Sequence, residues 1–110
     1  MKRIFLSLGF RGKGEERILN EIDKMKEKIT SYYPNEELEF VHNYFYQGNN
    51  RVECLGEALK KMSTCDIVYF LTDDLMYNIF KGCHIEKKVC EIYNITHKFI
   101  SIDWWKNFLI

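Results

Sequence analysis

The residues of this chain best suited to chemistry fall in three stretches: Ser7, Gly9, Arg11 and Gly12 in SLGFRGKG, Asp73 and Asp74 in LTDDL, and Gly82 and Glu86 in KGCHIEKKVCEIY. Glu86 is the most unusual of them. In a helix that begins near Gly82 and turns about 100° per residue, Gly82, Ile85, Val89, Cys90, Ile92 and Tyr93 share one broad arc, with Glu86 near its middle. His84, Lys87, Lys88 and Glu91 project from the other side, so the helix already has a charged solvent face. An inward carboxylate must be paired, be protonated or line a cavity. The competing reading is structural: Glu86 lies in the first turn, where the positive end of the helix dipole favours an acid.

The residues before it favour a site. CDIVYFL, from Cys65 to Leu71, has the apolar run of a buried strand and delivers Asp73 and Asp74 to its carboxyl end, where open α/β sheets bind their ligands. Three carboxylates are thereby expected on one rim. At the other end of the chain, Lys2 to Leu8 is a β-rich run followed by Gly9, Gly12 and Gly14, and then by a helical pattern from Glu15. The spacing G-x-x-G-x-G matches neither the P-loop nor the dinucleotide fingerprint. Its glycines serve either a turn or a close approach of backbone to ligand, and Ser7 and Arg11 beside them suit a sugar or a phosphate.

The elements that must position these residues alternate. Ile18, Leu19, Ile22, Met25 and Ile29 give an amphipathic helix over Glu15 to about Tyr32. Pro34 and Asn35 break it, and Leu38 to Val41 is a short strand. NYFYQGNN is then a loop whose Tyr44 or Tyr46 either stacks on a base or packs into the core. Val52, Leu55, Ala58, Leu59 and Met62 form the stripe of a second helix, and His97 to Ile102 supplies a fourth strand. Asp103 can cap a short last helix, WWKNFLI, whose apolar character favours a subunit contact. Strand and helix in alternation predict a single α/β domain over residues 1–110, a Rossmann-like, flavodoxin-like parallel sheet of four or five strands with helices on both faces.

Bulk composition narrows the partners. Sixteen basic and sixteen acidic residues cancel, which gives no electrostatic reason to expect a nucleic-acid polymer or an anionic membrane. No apolar run approaches the roughly 20 residues that span a bilayer, and MKRIFLSLGF is too short in its apolar part for a secretory signal, so a cytoplasmic home is expected. Cys54, Cys65, Cys83 and Cys90 form no CxxC pair and sit in apolar periodic segments, which predicts reduced thiols, no metal and no cofactor. A small-molecule ligand fits this balance.

The layout of SLGFRG, ECLGEALKKMSTCDIVYFLTDD and KGCHIEKKVCEIYNI resembles the nucleoside 2-deoxyribosyltransferase superfamily, in particular its short bacterial and phage members, over nearly the whole chain. The resemblance implies that Glu86, in a G-x-x-x-E pattern with Gly82, is the nucleophile. It implies that Asp73 or Asp74 holds the sugar hydroxyls or helps move a proton. It also implies that Ser7, Gly9, Arg11 and Gly12 contact the sugar or a 5′-phosphate, and that the protein is a homodimer. The deoxyribosyltransferases proper carry a further acid shortly before the glycine; Lys81 stands in that neighbourhood here. The expected activity is cleavage or transfer at the N-glycosidic bond of a nucleoside or nucleoside 5′-monophosphate. The alternatives are a non-catalytic nucleotide sensor on the same fold, and an interaction domain whose Glu86 is structural.

Overall fold

A computed structural model describes residues 1–46 and 48–102 of the chain. Its axis is β1 (Lys2–Ser7), whose last four residues are all buried because both faces of the strand are covered. Alternation along the strand sends Ile4 and Leu6 to one side and Phe5 to the other. β2 (Leu38–Val41) pairs with β1 from Lys2↔Leu38 to Phe5↔Val41, and β3 (Ile67–Leu71) pairs from Ile4↔Ile67 to Ser7↔Phe70. β4 (His97–Ile100) lies outside β3, from Val68↔His97 to Leu71↔Ile100. All pairings are parallel and the order is β2-β1-β3-β4, as expected of a flavodoxin-like sheet.

One face is covered by α1 (Glu15–Tyr32), which buries Ile18, Ile22, Met25 and Ile29 against Ile4, Leu6, Ile67, Tyr69, Leu71 and Ile100. Each such apolar side chain contributes roughly 1.5–3 kcal/mol. That burial sustains a helix whose amino end has no side-chain cap. The opposite face is covered by α2 (Arg51–Met62) and α4 (Lys81–Ile92), through Ala58, Met62 and Cys90 on Phe5, Val68 and Phe70. α2 starts where Asn50 Oδ1 accepts the Glu53 N–H at 2.8 Å, an N-cap worth about 1 kcal/mol. The two helices expected on opposite faces, α1 and α2, are there.

The details differ at several ends. β3 begins at Ile67 and not at Cys65, because Asp66 is used to lock β1: its N–H donates to Arg3 O and its carboxylate accepts the Arg3 N–H, both at 2.8 Å. β4 stops at Ile100. A single helical turn, α3 (Thr72–Leu75), follows β3 directly and carries both aspartates.

The inward stripe of α4 is also rotated from the expected arc. Cys83, Glu86 and Cys90 point at the sheet, three and four residues apart, whereas Gly82, Ile85, Ile92 and Tyr93 are exposed. α4 packs toward β1 and β3 through Glu86 and Cys90, so the line aimed at those strands is the buried one. The expected last helix lies outside the described residues. Among the described helices none is long and apolar enough to cross a membrane.

Candidate functional site

Two clusters form at the carboxyl ends of β1 and β3. In the first, Ser7 is the last residue of β1 and, by the alternation that makes Phe5 face α2 and α4, it faces α4 as well. Its Oγ donates to Glu86 Oε1 at 2.7 Å. Both residues are buried, Ser7 at 2% and Glu86 at 6% exposure. Burial pushes the Glu86 carboxyl up to about 7, and the Ser7 hydrogen bond pulls it partly back. Arg11 and Lys81 are both exposed, and no ion pair reaches Glu86 among the described residues. Cys83, one turn before it, is an unreactive neighbour at neutral pH. Burial first, and then the charge of Glu86, push its thiol up to about 12.

The second cluster is a buried ion triad. Lys13 Nζ lies 2.6 Å from Glu21 Oε1 and 2.7 Å from Asp74 Oδ2, with its side chain 1% exposed. Asp74 Oδ2 also accepts the Gly9 N–H at 2.6 Å. Arg17 approaches the other Glu21 oxygen at 3.5 Å from the solvent side. The glycine loop makes this possible: Gly12 takes φ 77° inside a turn closed by the Lys13 N–H on Phe10 O, which folds Lys13 back under the loop. A left-handed residue there favours glycine. Gly12 therefore serves the turn.

Against the glycine loop and the lysine of the triad sits Phe80, 8% exposed, at the amino end of α4. Its ring lies so close to Gly9 that a Cβ on that residue would fall 2.0 Å from Phe80 Cδ1. The Lys13 ammonium is 5.0 Å from the centroid of the same ring. Ser7, Gly9, Asp74 and Glu86 are thus gathered at the rim, as their positions in the sequence suggested.

The remaining candidates are placed differently. Asp73 is half-buried, with Ser101 Oγ 3.4 Å from Oδ1. Arg11 stands exposed at the tip of the loop turn, and Gly82 is exposed with open space where a Cβ would be. Tyr44 packs on Phe10 and Phe45, and Tyr46 donates to Glu53, so core and surface contacts occupy both rings.

Lys13, Glu21 and Phe80 were not among the residues singled out by sequence. For Glu21 a signal exists: it stands three residues after Ile18 and four before Met25, on the edge of the buried stripe. A second inward acid near an inward aspartate calls for a cation, and among the described residues Lys13 is the one that reaches both. Compared with family models, with curated proteins and with solved structures, the chain matches none.

Proposed function

We propose that this protein cleaves the N-glycosidic bond of a nucleoside or nucleoside 5′-monophosphate, with Glu86 as the nucleophile. The observation that carries the reading is the state of Glu86: buried, held at one oxygen by Ser7 and pushed up to about 7, with no ion pair to it among the described residues. A carboxyl poised near neutral pH in a dry site at the rim of a parallel sheet is suited to catalysis. The resemblance of the G-x-x-x-E helix and the SLGFRG loop to the nucleoside 2-deoxyribosyltransferase superfamily supports the same assignment.

In the proposed reaction, ionised Glu86 attacks the anomeric carbon as the C–N bond breaks and its electron pair leaves with the base, which takes up a proton. Water then attacks the same carbon, the glycosyl ester opens, and the carboxylate is restored while the water's proton replaces the one spent. A second base in place of water makes the reaction a transfer. Ser7 aims the carboxylate, as its hydrogen bond requires. Asp73, less committed than Asp74, is the acid placed to hold a sugar hydroxyl or to move the proton. The same reading includes a homodimer, for which Ile85 and Ile92 on α4 and Phe99 on β4 offer exposed apolar surface.

A second reading, a nucleotide-binding domain without catalysis, is favoured by the enclosure of Glu86 beneath its neighbours. Release of free base from a panel of nucleosides and their 5′-monophosphates, wild type beside Glu86→Gln, separates the two. The proposal expects turnover by the wild type and a loss on the order of a thousandfold in the variant. Ligand-induced stabilisation without turnover supports the sensor instead. Equal rates in the two proteins remove Glu86 from the nucleophile's role.

A further inference from the structure

The Phe80 ring occupies a place built for a flat ring. On one side is the backbone of Gly9, where any side chain would collide with it at 2.0 to 2.5 Å. On another is the Lys13 ammonium, 5.0 Å from the ring centroid. Two of the three ammonium protons go to Glu21 and Asp74, which leaves one for the contents of the slot. A benzene ring offers that proton only its π face. A heterocycle with a carbonyl or ring-nitrogen acceptor offers a hydrogen bond.

The slot is also at the right range from Glu86. The two rim contacts come from one short run of chain, Ser7 bonding Glu86 and Gly9 touching Phe80. Two residues span at most about 7 Å. A base in the slot with its sugar toward Ser7 brings the anomeric carbon toward the roughly 3 to 3.5 Å needed for attack by Glu86.

Phe80 is, moreover, the buried end of an exposed segment, and its ring can leave. Of residues 76–80 only Phe80 is buried, while Met76, Tyr77 and Ile79 are more than half exposed. The segment is pinned by the Met76 N–H on Asp73 O at 3.4 Å, the Tyr77 N–H on Asp74 O at 3.2 Å, the Phe80 N–H on Tyr77 O at 3.4 Å and the contact of His84 Nε2 with Tyr77 O at 3.0 Å. The Phe80 carbonyl accepts from the first turn of α4, the Cys83 N–H at 3.1 Å and the His84 N–H at 3.4 Å, so it is the ring and not the backbone that has to swing out. Among the described residues no strand pairing depends on the segment.

We propose that the slot between Gly9 and Lys13 is the seat of the substrate's base, a planar heterocycle with an acceptor edge, and that Phe80 is a placeholder which the base displaces. This rests on the nucleoside reading given above. It explains why position 9 is glycine and why a lysine already shared by two carboxylates also faces an aromatic ring. Because wild-type protein must first expel its own ring, only the open fraction binds, and the apparent affinity is reduced by that fraction.

The test uses free bases, which have no glycosidic bond and so report the slot without the chemistry. Calorimetric titration of the full chain with adenine, guanine, cytosine and thymine compares wild type, Phe80→Ala and Phe80→Ala with Gly9→Ala. At least one base is expected to bind Phe80→Ala tenfold or more tightly than wild type. Narrowing the slot through Gly9→Ala is expected to remove that gain. Phe80→Val, which removes the ring and shortens the side chain while keeping it apolar, serves in the same comparison if the alanine variant does not fold. No gain for any base in the opened variant overturns the proposal, as does a gain that Gly9→Ala leaves intact.

Two further outcomes separate this inference from the reading beneath it. Base binding that follows the expected pattern in a protein that turns over no nucleoside upholds the slot and overturns the nucleophile. Turnover that depends on Glu86 while no base gains from opening the slot upholds the nucleophile and overturns the slot.

Discussion

The two carboxylate clusters at the rim lie side by side and are built on opposite principles. Asp74 and Glu21 are buried with a shared lysine and a backbone N–H, so their charge is answered by charge. Glu86 is buried with, among the described residues, the neutral Ser7 hydroxyl as its hydrogen-bond partner. The first arrangement is a clamp: it ties the β1–α1 loop to α3 and to α1 through three short hydrogen bonds. The second leaves a carboxyl whose ionised form is disfavoured and whose pKa has moved to about 7. A fold that only needed an acid at position 86 would answer it as it answers Asp74. The contrast separates a group that holds the site from a group that can act in it.

The largest expected effect comes from breaking the clamp. Lys13→Met leaves Asp74 without its cation and Glu21 with only the exposed Arg17 at 3.5 Å, and should cost about 3 to 5 kcal/mol of stability, the range for removing one partner of a buried ion pair. Urea denaturation at neutral pH measures it. Adding Asp74→Asn to Lys13→Met should recover part of the loss, because the orphaned charge is then gone while an amide oxygen still accepts from Gly9. A loss under about 1 kcal/mol, typical of an exposed surface pair, would mean that the triad is no clamp.

Glu86 should show the opposite sign. Its folded pKa, about 7, lies above its ordinary 4.5, so the folded state holds the proton more tightly than the unfolded chain. The stability this provides is full below about pH 4.5 and is lost as pH rises through about 7. A shift of that size corresponds to roughly 3 kcal/mol. Glu86→Gln should therefore match wild type near pH 4.5 and exceed it at pH 8 by up to that amount, read from urea midpoints at the two pH values. A Gln variant less stable than wild type at pH 8 would place Glu86 in a structural role.

Ser7→Ala should give the smallest change. It removes the one hydrogen bond that lowers the Glu86 pKa, so the midpoint of the wild-type pH dependence moves upward, while stability at low pH falls by about 1 kcal/mol. Carbon-13 NMR of the Glu86 carboxyl follows the midpoint. A downward move contradicts the assignment of Ser7 as donor to the ionised form.

Much of this was legible in the sequence, and the unread parts have physical causes. Alternating apolar periods located all four described strands and the three longer helices, because both faces of the sheet are covered and each helix shows one apolar stripe. Glu86 was legible as inward because it falls on the apolar side of a helix with charge to spare elsewhere. The exact stripe of α4 was not, since isoleucines on its uncovered flank imitate a core face and two cysteines carry the real one. Lys13 was hidden for a different reason. A lysine between loop glycines looks solvated until the turn at Gly12 folds it inward, and that turn is a matter of backbone geometry. Phe80 was hidden beside Met76, Tyr77 and Ile79, apolar and aromatic residues that are all exposed while it alone is buried.

In the proposed reaction Glu86 forms a covalent bond to the sugar. Rapid-quench digestion during turnover of the nucleoside that the base-release panel identifies, followed by peptide mass analysis, tests it directly. The expected result is a burst of free base stoichiometric with protein, together with one sugar-sized mass addition on the peptide containing Glu86, absent in Glu86→Gln. Turnover with no addition on that peptide, or an addition on the peptide carrying Asp73 and Asp74 instead, would contradict it.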